Sequence, residues 1–226
     1  DQTYNEDGNH EPGIVSYDVN YDLTIDQFKS DFTTMAKSVA KNGGFYISRY
    51  EIGANGESKK GQKVLTPDSI DGDNYLGANM WYGLYNTCRD IDNKKQMIWG
   101  CQYDQVIKFM GEKAQTAHVY ISTNRALSGQ NNLDNMKNIY DLEGNCREWT
   151  LEADSTDQRI YRGGNCSVIT TDGRLYPASY RNFTVNEPIK GGRFWNNSCC
   201  TLFIKEPKRG ITKNIFQNSK IALTFG

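Results

Sequence analysis

The sequence predicts an α+β fold in which amphipathic helices pack on short strands, with much irregular backbone between them. Apolar residues recur at helical spacing in three stretches of the first half, at 28–39, 81–88 and 103–110. From residue 139 onward this period is absent, and short strand-like runs alternate with turn residues. The two patterns together indicate a single domain of mixed class.

A chain of 226 residues is long enough to form one domain with a substantial core. No internal repeat, low-complexity tract or linker divides it. We therefore predict a polar N-terminal arm at residues 1–21, one domain at 22–205 and a C-terminal extension at 206–226. An apolar run at 221–223 of the extension either adds a further strand or frays.

Charge and hydropathy argue against two classes of partner. The 26 basic and 27 acidic residues give a net charge of −1, so no long-range field favours nucleic acid or an anionic membrane. No stretch approaches the roughly 20 apolar residues of a membrane span, so we expect no membrane insertion. Aromatic residues make up 12% of the chain, which fits either a loop-rich fold or a binding surface.

The six cysteines, at positions 88, 101, 146, 166, 199 and 200, include no Cys-x-x-Cys pair. With only His10 and His118 to assist them, we expect no structural zinc site. A disulfide framework stays open for an exported protein, but a core of this size does not need one. Because Cys199 and Cys200 are adjacent, they cannot easily serve two well-formed bridges in a regular strand. We expect mostly free thiols.

The first helix has the clearest boundaries in the sequence. Thr24 is the expected N-cap with Gln27 as its capping-box partner, and Leu23 can pack against Phe28 across the helix start. Gly43 should end the helix. The apolar residues between these ends should form one buried stripe: Phe28, Phe32, Met35 and Val39.

Later elements follow from composition and spacing. The segment 45–52 is rich in aromatic and β-branched residues and predicts a strand, followed by a loop at 54–67. A polar stretch at 122–135 predicts a surface loop. Two further helices are predicted by their apolar positions, which are Trp81, Leu84, Tyr85 and Cys88 in one and Tyr103, Val106, Ile107 and Met110 in the other.

A turn at Gly144-Asn145 brings two acidic side chains together. Both turn residues tolerate positive φ, and they precede a strand-like run at 147–151. The chain reversal should fold Asp141 back toward Glu148. Carboxylates that converge on turn carbonyls offer the oxygen ligands that calcium prefers. The alternative is an ordinary hairpin turn with solvated acids.

Four ordered motifs carry a resemblance to a known family. Asp141-Leu-Glu-Gly-Asn-x-x-Glu-Trp-Thr150 is followed by Arg159-x-x-Arg-Gly-Gly164, with 43–51 before them and 177–181 after them. In this order, across about residues 25–205, they resemble the formylglycine-generating-enzyme (sulfatase-modifying factor) type of C-type lectin fold. The resemblance implies that the domain at 22–205 has this fold.

The resemblance also implies a structural calcium site. Its ligands would be the side chains of Asp141 and Glu148 and the backbone carbonyl oxygens of Gly144 and Cys146. Asp141 stands where the family usually has asparagine, a change that keeps an oxygen donor. The alternative for Glu148 is a salt bridge to an arginine such as Arg162.

The cysteine pair of the family's enzymes is missing. Catalytic members oxidise a substrate cysteine to formylglycine with two cysteines, five residues apart, in the segment after Arg-Gly-Gly. The corresponding segment, 167–181, contains no cysteine, and Asp172 and Pro177 occupy the best-matching positions. Neither residue can bind copper(I), which selects thiolate ligands. We therefore expect no catalytic residues, no copper and no enzymatic activity.

Residues 163–200 combine amide side chains, which hydrogen-bond adaptably, with rigid aromatic rings, as a recognition surface requires. The candidate ligand-binding residues are the aromatic anchors Tyr176, Tyr180, Phe183, Phe194 and Trp195 and the polar contacts Asn165, Asn182, Asn196 and Asn197. The alternative is ordinary turn chemistry combined with buried aromatic residues.

Non-catalytic members of this fold occur on phage and prophage tails and as targets of diversity-generating retroelements, which rewrite adenine-bearing codons such as those of asparagine. The run at 194–200 resembles such a variable segment, placed on an irregular loop. The resemblance implies a variable receptor-binding protein on a virion tail or bacterial cell surface, with a host-surface protein or glycan as ligand. Two alternatives stay open: a cysteine oxidase with rearranged thiols, and a structural tail subunit within an oligomer.

Overall fold

The computed structural model describes residues 25–53, 56–64, 81, 84–85, 88, 95–116, 125–153, 158–166, 176–185, 198–200, 202–204 and 220–224. The N-terminal arm at 1–21, the predicted N-cap Thr24 and the run at 194–197 lie outside these ranges.

The described residues form an α+β fold with two helices and small, mostly antiparallel sheets. The helices are α1 (Ile25–Asn42) and α2 (Gly100–Met110), and a 3-10 helix (Glu112–Gln115) follows α2. The strands in chain order are β1 (Gly44–Ser48), β2 (Lys95–Met97), β3 (Asn135–Met136), β4 (Ile139–Tyr140), β5 (Arg147–Ala153), β6 (Gln158–Arg162), β7 (Arg181–Val185), β8 (Ser198–Cys200), β9 (Leu202–Ile204) and β10 (Lys220–Thr224).

Two four-stranded sheets and one hairpin organise these strands. The first sheet has the order β10-β1-β9-β2 with antiparallel neighbours, and β3 pairs with β4. The second has the order β7-β6-β5-β8, in which the β5–β8 pair is parallel. Residue 201 alone separates β8 from β9, so the chain passes directly from one sheet to the other. The N–H of Leu151 in β5 donates to the carbonyl of Ile98 (2.9 Å), which ties the second sheet to the end of β2.

Helix α1 confirms the predicted helix and its end. The predicted stripe faces the core, with Phe28 and Met35 buried and Phe32 and Val39 half-buried. The rings of Phe28 and Phe32 contact Trp99 edge-on, with centroid distances of 4.7 and 5.0 Å. After the last turn, Gly43 adopts a φ of 72° and donates its N–H to the carbonyl of Val39 (2.8 Å). This left-handed cap is one that glycine adopts without strain.

The two later helical predictions are also confirmed for the described residues. Trp81, Leu84, Tyr85 and Cys88 are helical and buried, and Tyr103, Val106, Ile107 and Met110 lie on the buried side of α2. At the start of α2, the side-chain oxygen of Gln102 accepts the N–H of Trp99 (3.2 Å). The Nε1–H of Trp81 donates to the carbonyl of Thr150 in β5 (2.6 Å), so this helical segment is joined to the second sheet.

Two predictions about strands were wrong. The strand that begins near Phe45 ends at Ser48 rather than Ile52, because the backbone bends at 49–50. Cys199 and Cys200 lie in β8 rather than on an irregular loop, and β8 pairs in parallel with β5. Because about fifty residues separate these two strands in the sequence, local patterning carried no signal of their pairing.

The apolar run at 221–223 joins the first sheet instead of fraying. Strand β10 pairs residue for residue with β1, from Gly44 opposite Thr224 to Ser48 opposite Lys220. Strand β10 therefore covers one edge of β1, and β9 covers the other. None of the described helices is long and apolar enough to cross a membrane.

We expect removal of residues 220–226 to lower the free energy of unfolding by about 3 kcal/mol. One edge of β1 would lose its backbone hydrogen bonds, each contributing about 0.5–1.5 kcal/mol. Removal of 225–226 alone leaves β10 intact and is the control. Urea unfolding followed by tryptophan fluorescence measures both chains, and equal stability of the two would contradict the pairing.

Candidate functional site

The acidic turn, defined as residues 141–148, is fixed by a carboxylate from outside it. Asp134 accepts the backbone N–H groups of Glu143 (3.2 Å) and Gly144 (2.6 Å). Burial raises the pKa of Asp134 well above its usual range, and the nearby charge of Asp141 raises it further, while the two N–H donors oppose the shift. Asp134 therefore holds the first half of the turn.

A second carboxylate, Glu51, holds the other half of the acidic turn. It accepts the side-chain amide of Asn145 (2.5 Å) and the backbone N–H of Cys146 (3.2 Å). The amide oxygen of Asn145 accepts the N–H of Ala126 (2.8 Å), and its backbone is left-handed with a φ of 52°. Asparagine suits this position because it tolerates that conformation and can both donate and accept.

Asp141, the first predicted calcium ligand, also has a left-handed backbone, with a φ of 69°. One of its carboxylate oxygens accepts the N–H of Gly129 (2.5 Å). Burial raises the pKa of Asp141 to about 7, an increase that the hydrogen bond from Gly129 and the charge of Lys60 limit. Asp141 is thus partly satisfied by protein groups.

Glu148, the second predicted side-chain ligand, is 0% exposed, and neither carboxylate oxygen has a hydrogen-bond partner among the described residues. Arg162 lies opposite it in the β5–β6 register. Arg162 instead binds Asp104 (2.5 Å), and its guanidinium lies 4.9 Å from the ring centre of Tyr103. The alternative of a Glu148–Arg162 salt bridge is therefore wrong.

Glu148 lies in a buried environment with other acidic groups nearby. Burial raises the pKa of Glu148 well above its usual range, and the charges of Asp134, Cys146 and Asp141 raise it further. Within the described ranges, no three His, Cys, Asp or Glu side chains cluster as a metal site. A calcium ion here would therefore need the carbonyl oxygens of Gly144 and Cys146 as well as carboxylates. The unpartnered oxygens of Glu148 fit that donor set.

The two glycines of the Arg-Gly-Gly motif lie directly against the acidic turn. Gly163 has a φ of 75°, and a Cβ at this position would lie 2.5 Å from Oε2 of Glu148. A Cβ on Gly164 would overlap the carbonyl of Glu143 and lie 2.5 Å from the carbonyl oxygen of Tyr176. Only glycine allows residues 163–164 to cross the acidic turn at such a short distance, which explains why neither position carries a side chain.

Three predicted ligand-binding residues lie together and form what we call the tyrosine surface: Tyr176, Tyr180 and Asn182. The two rings are tilted against each other with centroids 4.0 Å apart. The side-chain amide of Asn182 donates to the hydroxyl of Tyr180 (2.7 Å), and all three residues are half-buried. The N–H of Gly163 donates to the backbone carbonyl of Tyr180 (2.9 Å), so the crossing glycines also position this surface.

The other predicted ligand-binding residues are placed differently. Asn165 is completely buried, so it belongs to the interior rather than to the tyrosine surface. Phe183 lies in β7 opposite Ile160 of β6. Phe194, Trp195, Asn196 and Asn197 lie outside the described residues.

The sequence did not predict that a row of three side chains, Arg147, Trp149 and Tyr161, lies next to the tyrosine surface. Tyr161 lies opposite Trp149 in one neighbouring strand and opposite Asn182 in the other. The guanidinium of Arg147 lies 4.6 Å from the centre of the Tyr161 ring. Burial raises the pKa of Tyr161, Arg147 opposes the shift, and Tyr180 adds to it. Arg147 and Trp149 are two residues apart in β5, so their side chains lie on the same face of the sheet. This spacing was the sequence signal that could have revealed the row.

Four cysteines outside β8 are free thiols, and none of them is well exposed: Cys88, Cys101, Cys146 and Cys166. Burial raises the pKa of Cys101 and of Cys166 to about 11 each. Both are therefore protonated near neutral pH, whereas thiol chemistry and copper binding use the thiolate.

Comparison with protein-family models, curated proteins and solved structures found no match to this chain. The relation to the formylglycine-generating-enzyme type of fold therefore stays a resemblance carried by sequence motifs. The geometry gives those motifs a physical role, because the acidic turn and the glycines at 163–164 lie against each other in the fold.

We expect Gly164→Ala to lower the free energy of unfolding by about 3 kcal/mol or more, because the new methyl group overlaps buried backbone. Gly43→Ala is the matched control. Gly43 has a φ of 72° but open space around the position of a Cβ, so the change should cost only about 1–2 kcal/mol of backbone strain. Urea unfolding measures both variants. A Gly164→Ala chain as stable as the control would contradict the close crossing.

Proposed function

We propose that this chain is a non-catalytic ligand-binding domain with a C-type lectin fold of the formylglycine-generating-enzyme type. The tyrosine surface carries the proposal. Two rings and one amide are held beside each other next to the edge strand β7 of the described second sheet. Rigid aromatic rings give contact area at low entropic cost, and an amide adds directional hydrogen bonds.

The state of the thiols supports binding rather than oxidation chemistry. Cys146 and Cys166 are 0% and 4% exposed, so a substrate peptide could not reach them in the folded chain. The alternative of a cysteine oxidase with rearranged thiols predicts an aldehyde product from a cysteine-bearing peptide with copper(I) and oxygen. Our proposal predicts none.

The proposed partner is a host-surface protein or glycan, and the proposed location is a virion tail or a bacterial cell surface. The sequence resemblance to phage, prophage and retroelement-diversified proteins supports this assignment. A near-copy of the codons for 163–200 beside a reverse transcriptase in the flanking DNA would support the variable-receptor form. The competing proposal, a structural tail subunit, requires a stable oligomer in solution, which sizing of the purified chain tests.

We also propose that the acidic turn binds a structural calcium ion through the side chains of Asp141 and Glu148 and the carbonyls of Gly144 and Cys146. The supporting observation is the fully buried carboxylate of Glu148, which has no hydrogen-bond partner among the described residues. A bound cation would supply the positive charge that balances this buried carboxylate. Its role would be to fix the turn rather than to take part in a reaction.

Calcium should raise the melting temperature of the wild-type chain. At about 100 times the dissociation constant, binding adds about 2.7 kcal/mol, which corresponds to about 5–10 °C for a chain of this size. Glu148→Gln should abolish the shift. Glu152→Gln is the matched control, because Glu152 is a buried glutamate of the same strand that pairs with Arg181 (2.8 Å) outside the turn.

Differential scanning calorimetry with and without millimolar calcium, after dialysis against a chelator, measures this shift. A wild-type chain with no calcium shift, or a shift that survives Glu148→Gln, would contradict the calcium proposal without affecting the binding proposal.

Tyr176→Ala and Tyr180→Ala should each weaken ligand binding at least tenfold, because truncation of an aromatic anchor typically costs about 2 kcal/mol or more. Tyr140→Ala is the matched control. Tyr140 is also half-buried and paired with a tyrosine, its ring lying 4.9 Å from that of Tyr50, but it lies outside the tyrosine surface.

Binding of the labelled chain to a panel of bacterial cells, measured by flow cytometry, identifies a target strain on which to compare these variants. Each variant is first shown to be folded by circular dichroism. Equal loss of binding in Tyr140→Ala would contradict the assignment of this surface.

A further inference from the structure

The segment 164–166 runs beside the acidic turn in the same direction. The N–H of Gly164 donates to the carbonyl of Leu142 (3.4 Å), and the N–H of Cys166 donates to the carbonyl of Asn145 (3.0 Å). The donors advance by two residues and the acceptors by three, so the segments run in the same direction without forming a regular parallel ladder. Because the carbonyl of Asn145 belongs to the peptide bond that precedes Cys146, the second hydrogen bond places the backbone of Cys166 next to that of Cys146. Cys166 therefore lies beside Cys146.

This placement brings the two cysteines within the range of a disulfide. A hydrogen bond from the N–H of one residue to the carbonyl before another keeps the two Cα atoms within about 7 Å of each other, and disulfides join Cα atoms separated by about 4.4–6.8 Å. A Cβ on Gly164 would overlap the carbonyl oxygen of Glu143, so the two backbones also approach closely at this point. Burial, followed by the charge of Cys146, raises the pKa of Cys166.

We propose that Cys146 and Cys166 form a disulfide when the chain folds in the presence of a small-molecule disulfide such as oxidised glutathione. One cysteine thiolate attacks the oxidant and releases one glutathione thiol, leaving a mixed disulfide. The second cysteine thiolate then attacks the protein sulfur of that mixed disulfide and releases the second glutathione thiol. Two electrons pass to the oxidant, and the two protons lost by the cysteines end on the two glutathione thiols.

The bond would link the acidic turn to the segment after Arg-Gly-Gly and close a loop that contains β5 and β6. Both cysteines are buried in the folded chain, so the bond forms during folding, before the thiols are covered. The proposal is independent of the ligand and of calcium, because it rests on the backbone pairing of 164–166 with the turn.

Peptide mapping tests the proposal on the full chain. The reduced, unfolded protein is refolded with reduced and oxidised glutathione, remaining thiols are alkylated, and the protein is digested with trypsin without reduction. Trypsin releases Cys146 in the peptide 138–147 and Cys166 in the peptide 163–174, each with a single cysteine. We expect one species whose mass equals the two peptides less two hydrogen atoms, and which separates on reduction.

Recovery of both peptides as separate alkylated species, or linkage of either to another cysteine, would overturn the proposal. A second measurement compares melting temperatures. The oxidised wild-type chain should melt about 5 °C or more above its reduced form. Cys166→Ser should lose this difference, and Cys101→Ser should keep it. If Cys166→Ser does not fold, the peptide map of the wild-type chain decides alone.

Discussion

The close crossing of Gly163 and Gly164 over the acidic turn is the constraint on which the candidate site depends. At this point backbone meets backbone, and no side chain larger than hydrogen fits at either glycine. The same two residues connect β6 to the carbonyl of Tyr180 on one side and to the turn on the other. The crossing therefore connects the buried carboxylates to the tyrosine surface.

Five buried carboxylates surround or belong to the acidic turn: Glu51, Asp134, Asp141, Glu143 and Glu148. Backbone or side-chain N–H groups donate hydrogen bonds to the carboxylates of Glu51, Asp134 and Asp141. These bonds hold the surrounding chain in place. Glu148 differs because its oxygens have no such donor among the described residues. An unpaired charge in that position costs several kcal/mol, so the carboxyl group either keeps a proton or binds a cation.

Local patterning predicted much of the fold and less of the site. The stripe and end of α1, the later helices and the strand after Gly144-Asn145 followed from spacing and turn chemistry, which act over a few residues. The roles of Glu51 and Asp134 did not follow from local patterns. Glu51 lies 94 residues before the asparagine that it binds, and the β3–β4 hairpin separates Asp134 from the turn. For the same reason, no local pattern indicated that β8 pairs with β5.

Hydrogen exchange at individual amides, measured by NMR, tests the crossing most directly. If the glycines hold the acidic turn against the second sheet, the N–H groups of Gly163, Gly164 and Cys166 should exchange as slowly as those in the centre of the β5–β6 pair. Rapid exchange at these three amides while the β5–β6 amides stay protected would show that the turn and the sheet move independently. That result would contradict the account.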